Sequence, residues 1–207
     1  MRRQRGRDFA FEDLRPTRTA LIVIDLMETY IAGTPCAASI IAPINRLAAT
    51  MRGAGGLVVW VKPAPIMADD PILGALWGEA RTSAMAAETQ AGNGGTVWAS
   101  GLSRDESDVE VVKHAASAFF PGKYDLPETL RERGIDTVLI TGVLTNICCE
   151  SSARDAATLG FRVVMVADAN AARSDEEHQS ALYNILRNFG DVRTSDDLIT
   201  VFNQDTE

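Results

Sequence analysis

Histidine is nearly missing from this 207-residue chain: His114 and His178 are the only two. No histidine pair stands with a carboxylate at the spacing zinc requires, so no metal and no cofactor is expected. Cysteine is scarce as well. Cys36, Cys148 and Cys149 are an odd number, and sequence neighbours rarely bridge each other, so a disulfide framework is not expected and a reducing, cytoplasmic setting is. No apolar run approaches the length of a membrane span, which argues against a membrane role. Positive charge is in deficit. Twenty Lys and Arg against 28 Asp and Glu leave a net charge of −8, which disfavours nucleic acid and anionic membrane surfaces and leaves a small molecule as the expected partner. The exception is the start, Met1-Arg2-Arg3-Gln4-Arg5-Gly6-Arg7. It has no apolar core that would make it a signal peptide, and residues 1–17 are read as a flexible N-terminal segment. A glycine-rich phosphate loop is missing too. Asp25-Leu26-Met27-Glu28 follows the first strand, so a nucleotide-binding reading loses its support.

What is present is apolar chain, 46% of the sequence, enough for one sizeable core in a single domain over 18–207. Unbroken apolar, β-branched runs recur at Thr19 to Asp25, Leu57 to Lys62, Val109 to Lys113, Thr137 to Val143, Arg162 to Asp168 and Leu198 to Phe202. Such runs without polar alternation indicate strands covered on both faces. The expected fold is therefore α/β, a three-layer α/β/α sandwich around a six-stranded, mainly parallel sheet with Rossmann- or flavodoxin-like winding. Between the runs, Ile40, Ile44, Leu47 and Met51 share one helix face, and Leu182, Ile185, Leu186 and Phe189 share another. The latter is opened by a Ser174-x-x-Glu177 capping box and closed by Gly190. The segment 64–107 reads as a helix around Glu79 to Thr89 with loops that roof the site.

Three strand ends carry chemistry. Asp25 and Lys113 each close an apolar run, and Cys148 stands where Thr137 to Val143 gives way to a helix, a position that favours thiolate. A carboxylate, an ammonium and a thiol are the parts of a nucleophilic hydrolase site with Asp in the base role. Were no side chain able to reach across two strands, the runs would take the spatial order 2-1-3-4-5-6, with the Asp25 strand between those ending at Lys62 and Lys113.

The segments Ala20-Leu21-Ile22-Val23-Ile24-Asp25-Leu26-Met27, Lys113-x-x-x-Ser117-Ala118-Phe119, Gly142-x-x-Thr145-Asn146-x-Cys148 with Ala153-Arg154-Asp155-Ala156, and Val166-Ala167-Asp168-Ala169 run in the order found in the isochorismatase-like cysteine hydrolases. The chain resembles that family from about residue 18 to 200. The resemblance implies Asp25, Lys113 and Cys148 as catalytic residues. It also implies a cis peptide between Val143 and Leu144, an oxyanion hole from the backbone N–H groups of Leu144 and Cys148, and a homo-oligomer, dimer or tetramer. The implied reaction is hydrolysis of a C–N bond in a small amide, ureide or lactam through a thioester. Vinyl-ether hydrolysis of the isochorismatase type, which needs no thiol, is the alternative, and a binding paralogue that keeps only the fold is another.

Cys149 falls one position outside the motif and is assigned to the core, and Cys36 to a loop. Asp168 is read as a helix or turn cap and His178 as a surface or packing residue. Tyr30 and Phe119 follow the candidate strands closely and are the expected walls of the substrate pocket. Many family members have Gln where this chain has Met27, and none of the residues between Asp25 and Lys113 is the histidine of the nicotinamidase metal motif.

Overall fold

The structure is a computed structural model and describes residues 6–204. Six parallel strands form one sheet: β1 (Thr19–Ile24), β2 (Leu57–Pro63), β3 (Val109–Lys113), β4 (Thr137–Val143), β5 (Arg162–Ala171) and β6 (Asp191–Arg193), in the spatial order β3-β2-β1-β4-β5-β6. The α-helices among the described residues are α1 (Glu28–Ala32), α2 (Ile41–Gly53), α3 (Pro71–Trp77), α4 (Glu79–Glu88), α5 (Leu126–Glu132), α6 (Glu150–Thr158), α7 (Asp175–Asn188) and α8 (Ser195–Gln204). All six residues of β1 are buried, because the sheet is covered on both faces. One core holds Leu21, Val23, Trp60 and Leu139 against α2 and α8 through Ile44, Leu47, Leu198 and Phe202. The other holds Ile22, Val59, Ile140 and Met165 against α5, α6 and α7 through Leu130, Ala153, Ala156 and Ile185. This is the expected three-layer sandwich.

Two expectations about the sheet are corrected. Leu198 to Phe202 is helical, within α8: its apolar residues fit a helical face as well as a strand, and the first turn carries Asp196 and Asp197. The sixth strand is the three-residue β6, too short and too charged to read from the sequence. The order 2-1-3 is also replaced, since β3 lies at the edge beyond β2, and the winding reverses between β1 and β4. The reach argument fails because lysine is the longest amine available. Its stem and a facing aspartate together span the roughly 10 Å of two strand spacings.

The residues at the reversal are fixed by backbone demands. Asp25 has φ 57°, a left-handed conformation that aspartate tolerates better than most side chains; its N–H donates to the Val61 carbonyl at 2.9 Å and its own carbonyl accepts from Met27 N at 2.8 Å. Across from it Gly142 pairs with Ile24 at φ 116°. A Cβ there would lie 2.1 Å from the Ile24 carbonyl oxygen, so only glycine lets β1 and β4 meet beside the site. Where β4 and β5 lose register, the Asn170 amide donates to the carbonyls of Ile140 (2.9 Å) and Val166 (2.7 Å) and fills the irregularity.

Of the segment 1–17 expected to be flexible, residues 1–5 of the arginine-rich start lie outside the described residues. Farther along, Leu14 and Pro16 are buried, and the N–H groups of Ala10 and Phe11 donate to the buried Asp191 carboxylate at 2.8 and 2.9 Å. The Ser174 cap on α7 and the helix face of α2 form as expected. In 64–107, α4 takes the expected helix and α3, capped by Asp70, adds a second; residues 97–99 lie along Leu26 and Glu28.

The glycine requirement is testable. Gly142→Ala is expected to cost on the order of 3 kcal/mol of stability in denaturant unfolding, since neither φ nor space admits the methyl group. A loss below about 1 kcal/mol, within the range of ordinary surface changes, would contradict the close β1–β4 approach.

Candidate active site

The carboxyl ends of β1 and β3 and the turn after β4 bring Asp25, Lys113 and Cys148 to one point, where Asp25 and Lys113 are buried and Cys148 is partly exposed. Lys113 Nζ lies 3.0 Å from Asp25 Oδ2 and 3.5 Å from Cys148 Sγ, and donates to the Ala115 carbonyl at 3.1 Å. All three ammonium donors are thereby directed. Asp25 and Lys113 are 2% and 5% exposed. The second carboxylate oxygen of Asp25, Oδ1, has no partner among the described residues, so one acceptor of the group remains open.

Cys148 is delivered by an unusual turn. Thr145–Cys149 is a single π-helical turn that runs directly into α6. The Leu144 carbonyl accepts from Ile147 N at 3.1 Å and Cys149 N at 3.2 Å, passing over the N–H of Cys148 between them. Ser152 Oγ donates to the Cys148 carbonyl at 2.6 Å and accepts from Ala118 N at 2.8 Å, which bolts the Ser117-Ala118-Phe119 loop to the cysteine turn. The Val143–Leu144 peptide bond is cis. Cys149 faces the other way, fully buried beside the Thr141 carbonyl at 3.8 Å, as its place outside the motif implied.

The electrostatics of the three groups oppose one another. Burial pushes the Cys148 thiol up to about 12, the Asp25 carboxylate adds to the rise, and Lys113 pulls only partly against it. Burial and the carboxylate thus favour the protonated form of the sulfur, against the pull toward thiolate of Lys113 and of a helix start. Burial also raises the Asp25 pKa against the opposing pull of Lys113 and of the Cys148 thiol. Burial works against the Lys113 ammonium, yet the Asp25 carboxylate and the cysteine sulfur more than compensate and raise its pKa. A carboxylate whose basicity burial heightens thus stands by a thiol whose ionisation burial opposes, with the Lys113 ammonium in reach of both.

Tyr30 is half-buried near this point: burial lifts its phenol to about 12, with Asp25 adding to the rise and Lys113 opposing it. Phe119, expected as the other wall, is fully buried and sits edge-on to Phe161 with ring centroids 5.7 Å apart. Its N–H donates to Ser117 Oγ, and this tight turn directs the ring into the core while the adjacent Phe120 stands exposed. Asp168 caps α8 by accepting from Ser195 N and Oγ. A cleft of about 470 Å³ lies between Pro65–Asp69 and α4, and none of Asp25, Lys113 and Cys148 lines it. Among the described residues no three His, Cys, Asp or Glu side chains are grouped as metal ligands, and no helix is long and apolar enough to cross a membrane. Sequence reasoning missed the partner of Thr145, His178, whose Nδ1 lies 2.9 Å from Thr145 Oγ1, since nothing along the chain links two residues 33 apart.

The isochorismatase domain model matches residues 19–197. The chain belongs to the isochorismatase family. A ureidoacrylate amidohydrolase of Pseudomonas syringae is 32% identical over 216 aligned residues, covering 91% of this chain and 85% of its own length. The solved N-carbamoylsarcosine amidase of Thermoplasma acidophilum is 31% identical with a TM-score of 0.71, covering 86% of this chain and 97% of its own. A cysteine hydrolase of Pseudomonas syringae pv. phaseolicola superimposes with a TM-score of 0.84 over 96% of this chain and 99% of its own; at 24% identity this likeness speaks for the fold alone.

The charge arrangement predicts opposite effects of its two neighbours on the thiol. In Asp25→Asn the inflection in the pH dependence of Cys148 alkylation by iodoacetamide should move to lower pH, because a carboxylate that opposes ionisation is gone. In Lys113→Met the inflection should move to higher pH, because the cation that favours thiolate is gone. Shifts of the same sign in both variants would contradict the arrangement.

Proposed function

We propose that the protein is a cysteine-dependent hydrolase that cleaves a C–N bond in a small amide, ureide or lactam through a thioester on Cys148. The observation that carries this reading is the convergence of Lys113 Nζ on Asp25 Oδ2 and Cys148 Sγ within 3.5 Å. The names of the relatives, an amidohydrolase of ureidoacrylate and an amidase of N-carbamoylsarcosine, support the same bond class.

Burial favours the protonated form of the thiol, so attack requires a base in contact with it. Asp25 takes the thiol proton as sulfur adds to the carbonyl carbon, and Lys113 holds its charge beside the carboxylate and the sulfur throughout. The carbonyl oxygen gains the negative charge and is met by the N–H groups of Leu144 and Cys148, fixed donors of the kind worth a few kcal/mol of barrier, roughly 3 each. Collapse breaks the C–N bond, and Asp25 returns the proton to the departing amine. Water, deprotonated by the same carboxylate, then adds to the thioester; the acid leaves and the thiol is restored. The partner is a small molecule, and self-association is expected from the family resemblance.

A panel of amides, ureides and isochorismate, followed by ammonia and pyruvate release, tests the reading. Ammonia release from an amide or ureide is expected, with Cys148→Ala lowering kcat by about a thousandfold or more and Cys149→Ala keeping it within about threefold. Turnover should also survive prolonged EDTA. Pyruvate release that persists in Cys148→Ala would hand the site to vinyl-ether hydrolysis, and activity lost to EDTA and restored by zinc would overturn the metal-free route.

A further inference from the structure

Thr145 opens the turn that carries Cys148, and its side chain is fully buried. A buried hydroxyl without a partner costs about 1–3 kcal/mol. Here the partner comes from another element: the Nδ1 of His178, 2.9 Å away. The imidazole stands on a firm platform in the first turn of α7. Ser174 Oγ accepts from Glu177 N at 3.2 Å, the Glu177 carboxylate accepts from Arg173 N at 3.1 Å, and His178 N donates to the Ser174 carbonyl at 3.1 Å. The ring is half-buried, and burial lowers its pKa against the opposing pull of Asp175, so it is neutral at pH 7. Neutral imidazole satisfies Thr145 in either tautomer, as acceptor from the hydroxyl or as donor to it.

The turn is thus held at both ends. Ser152 ties its carboxyl end to α6 through the Cys148 carbonyl, and His178 ties its amino end to α7 through Thr145. Between the ties lie the Cys148 sulfur and the N–H of Cys148. Displacing them by a fraction of an ångström is costly in a site of this kind.

We propose that His178 is a positioning residue for hydrolysis: by bonding Thr145 it fixes the turn that sets Cys148 against Lys113 and Asp25, without itself meeting the substrate. This rests on the cysteine-hydrolase reading above. The scarcity of histidine in the chain is then put to use, one of two imidazoles serving as a neutral brace instead of an acid or base.

The test uses His178→Phe, which keeps a ring and removes the nitrogens, and Thr145→Val, which keeps the shape and removes the hydroxyl. With a substrate found in the panel, each should lower kcat about tenfold, the worth of one buried hydrogen bond, and leave KM within about twofold. The combined variant should be no worse than either alone. His178→Asn, whose amide can occupy the place of Nδ1, should recover most of the loss. Wild-type kcat in His178→Phe, a KM that rises in step, losses that multiply in the combined variant, or His178→Asn no better than His178→Phe would each overturn the proposal. Iodoacetamide alkylation of Cys148 supplies a readout that needs no substrate: its rate should shift by the same factor in His178→Phe and Thr145→Val and return toward wild type in His178→Asn. Turnover that persists in Cys148→Ala would sink the thioester chemistry, while the alkylation rates would still decide whether Thr145 and His178 act as one unit.

Discussion

The buried ion pair between Lys113 and Asp25 is the constraint to which the rest of the carboxyl end of the sheet answers. Two charges removed from water are not a stabilising device: the desolvation penalty rivals the attraction, and removal of one partner of such a pair costs about 3–5 kcal/mol because the other charge is stranded. Both groups are almost inaccessible, with the ammonium between the carboxylate and the sulfur. A fold that carries this expense at the mouth of an α/β sheet gains a preset electrostatic environment, in which a carboxylate, an ammonium and a thiol are held together.

Several backbone features that look unrelated serve that arrangement. The left-handed turn at Asp25 points its carboxylate inward, and the absent Cβ of Gly142 lets β4 approach β1 closely enough for the cysteine turn to begin beside it. Ser152 couples the loop after Lys113 to the carbonyl of Cys148, so the elements carrying cation and sulfur are tied to one another. The π-helical turn Thr145–Cys149 sets Cys148 within 3.5 Å of the Lys113 ammonium and Cys149 in the core, which separates two adjacent thiols by surroundings.

Much of this was legible in the sequence because the central strands are apolar on both faces and end abruptly in polar residues. Asp25 after Ile24, Lys113 after Val112 and the Gly142-to-Cys148 spacing all mark strand ends, and parallel strands put those ends on one side. What was not legible depends on reach and on tertiary pairing. The length of the Lys113 side chain made the inferred strand order wrong while leaving the convergence right. Leu198 to Phe202 satisfied two periodicities at once, and the short β6 gave no pattern to read. Phe119 was assigned to the wall on proximity along the chain, whereas the Ser117 turn sends it inward. The burial that favours the protonated form of Cys148 is invisible in a local motif, which shows only the helix start.

The account turns on a covalent bond between substrate and one of two neighbouring sulfurs. Acid quenching of the wild-type enzyme during turnover, followed by peptide mass spectrometry, reads that bond directly. The expected result is an acyl mass added at Cys148, growing in with substrate, decaying as substrate is consumed, and absent from Asp25→Asn. An adduct on Cys149, or steady turnover with neither cysteine modified when breakdown is slowed by low temperature, would contradict the thioester route.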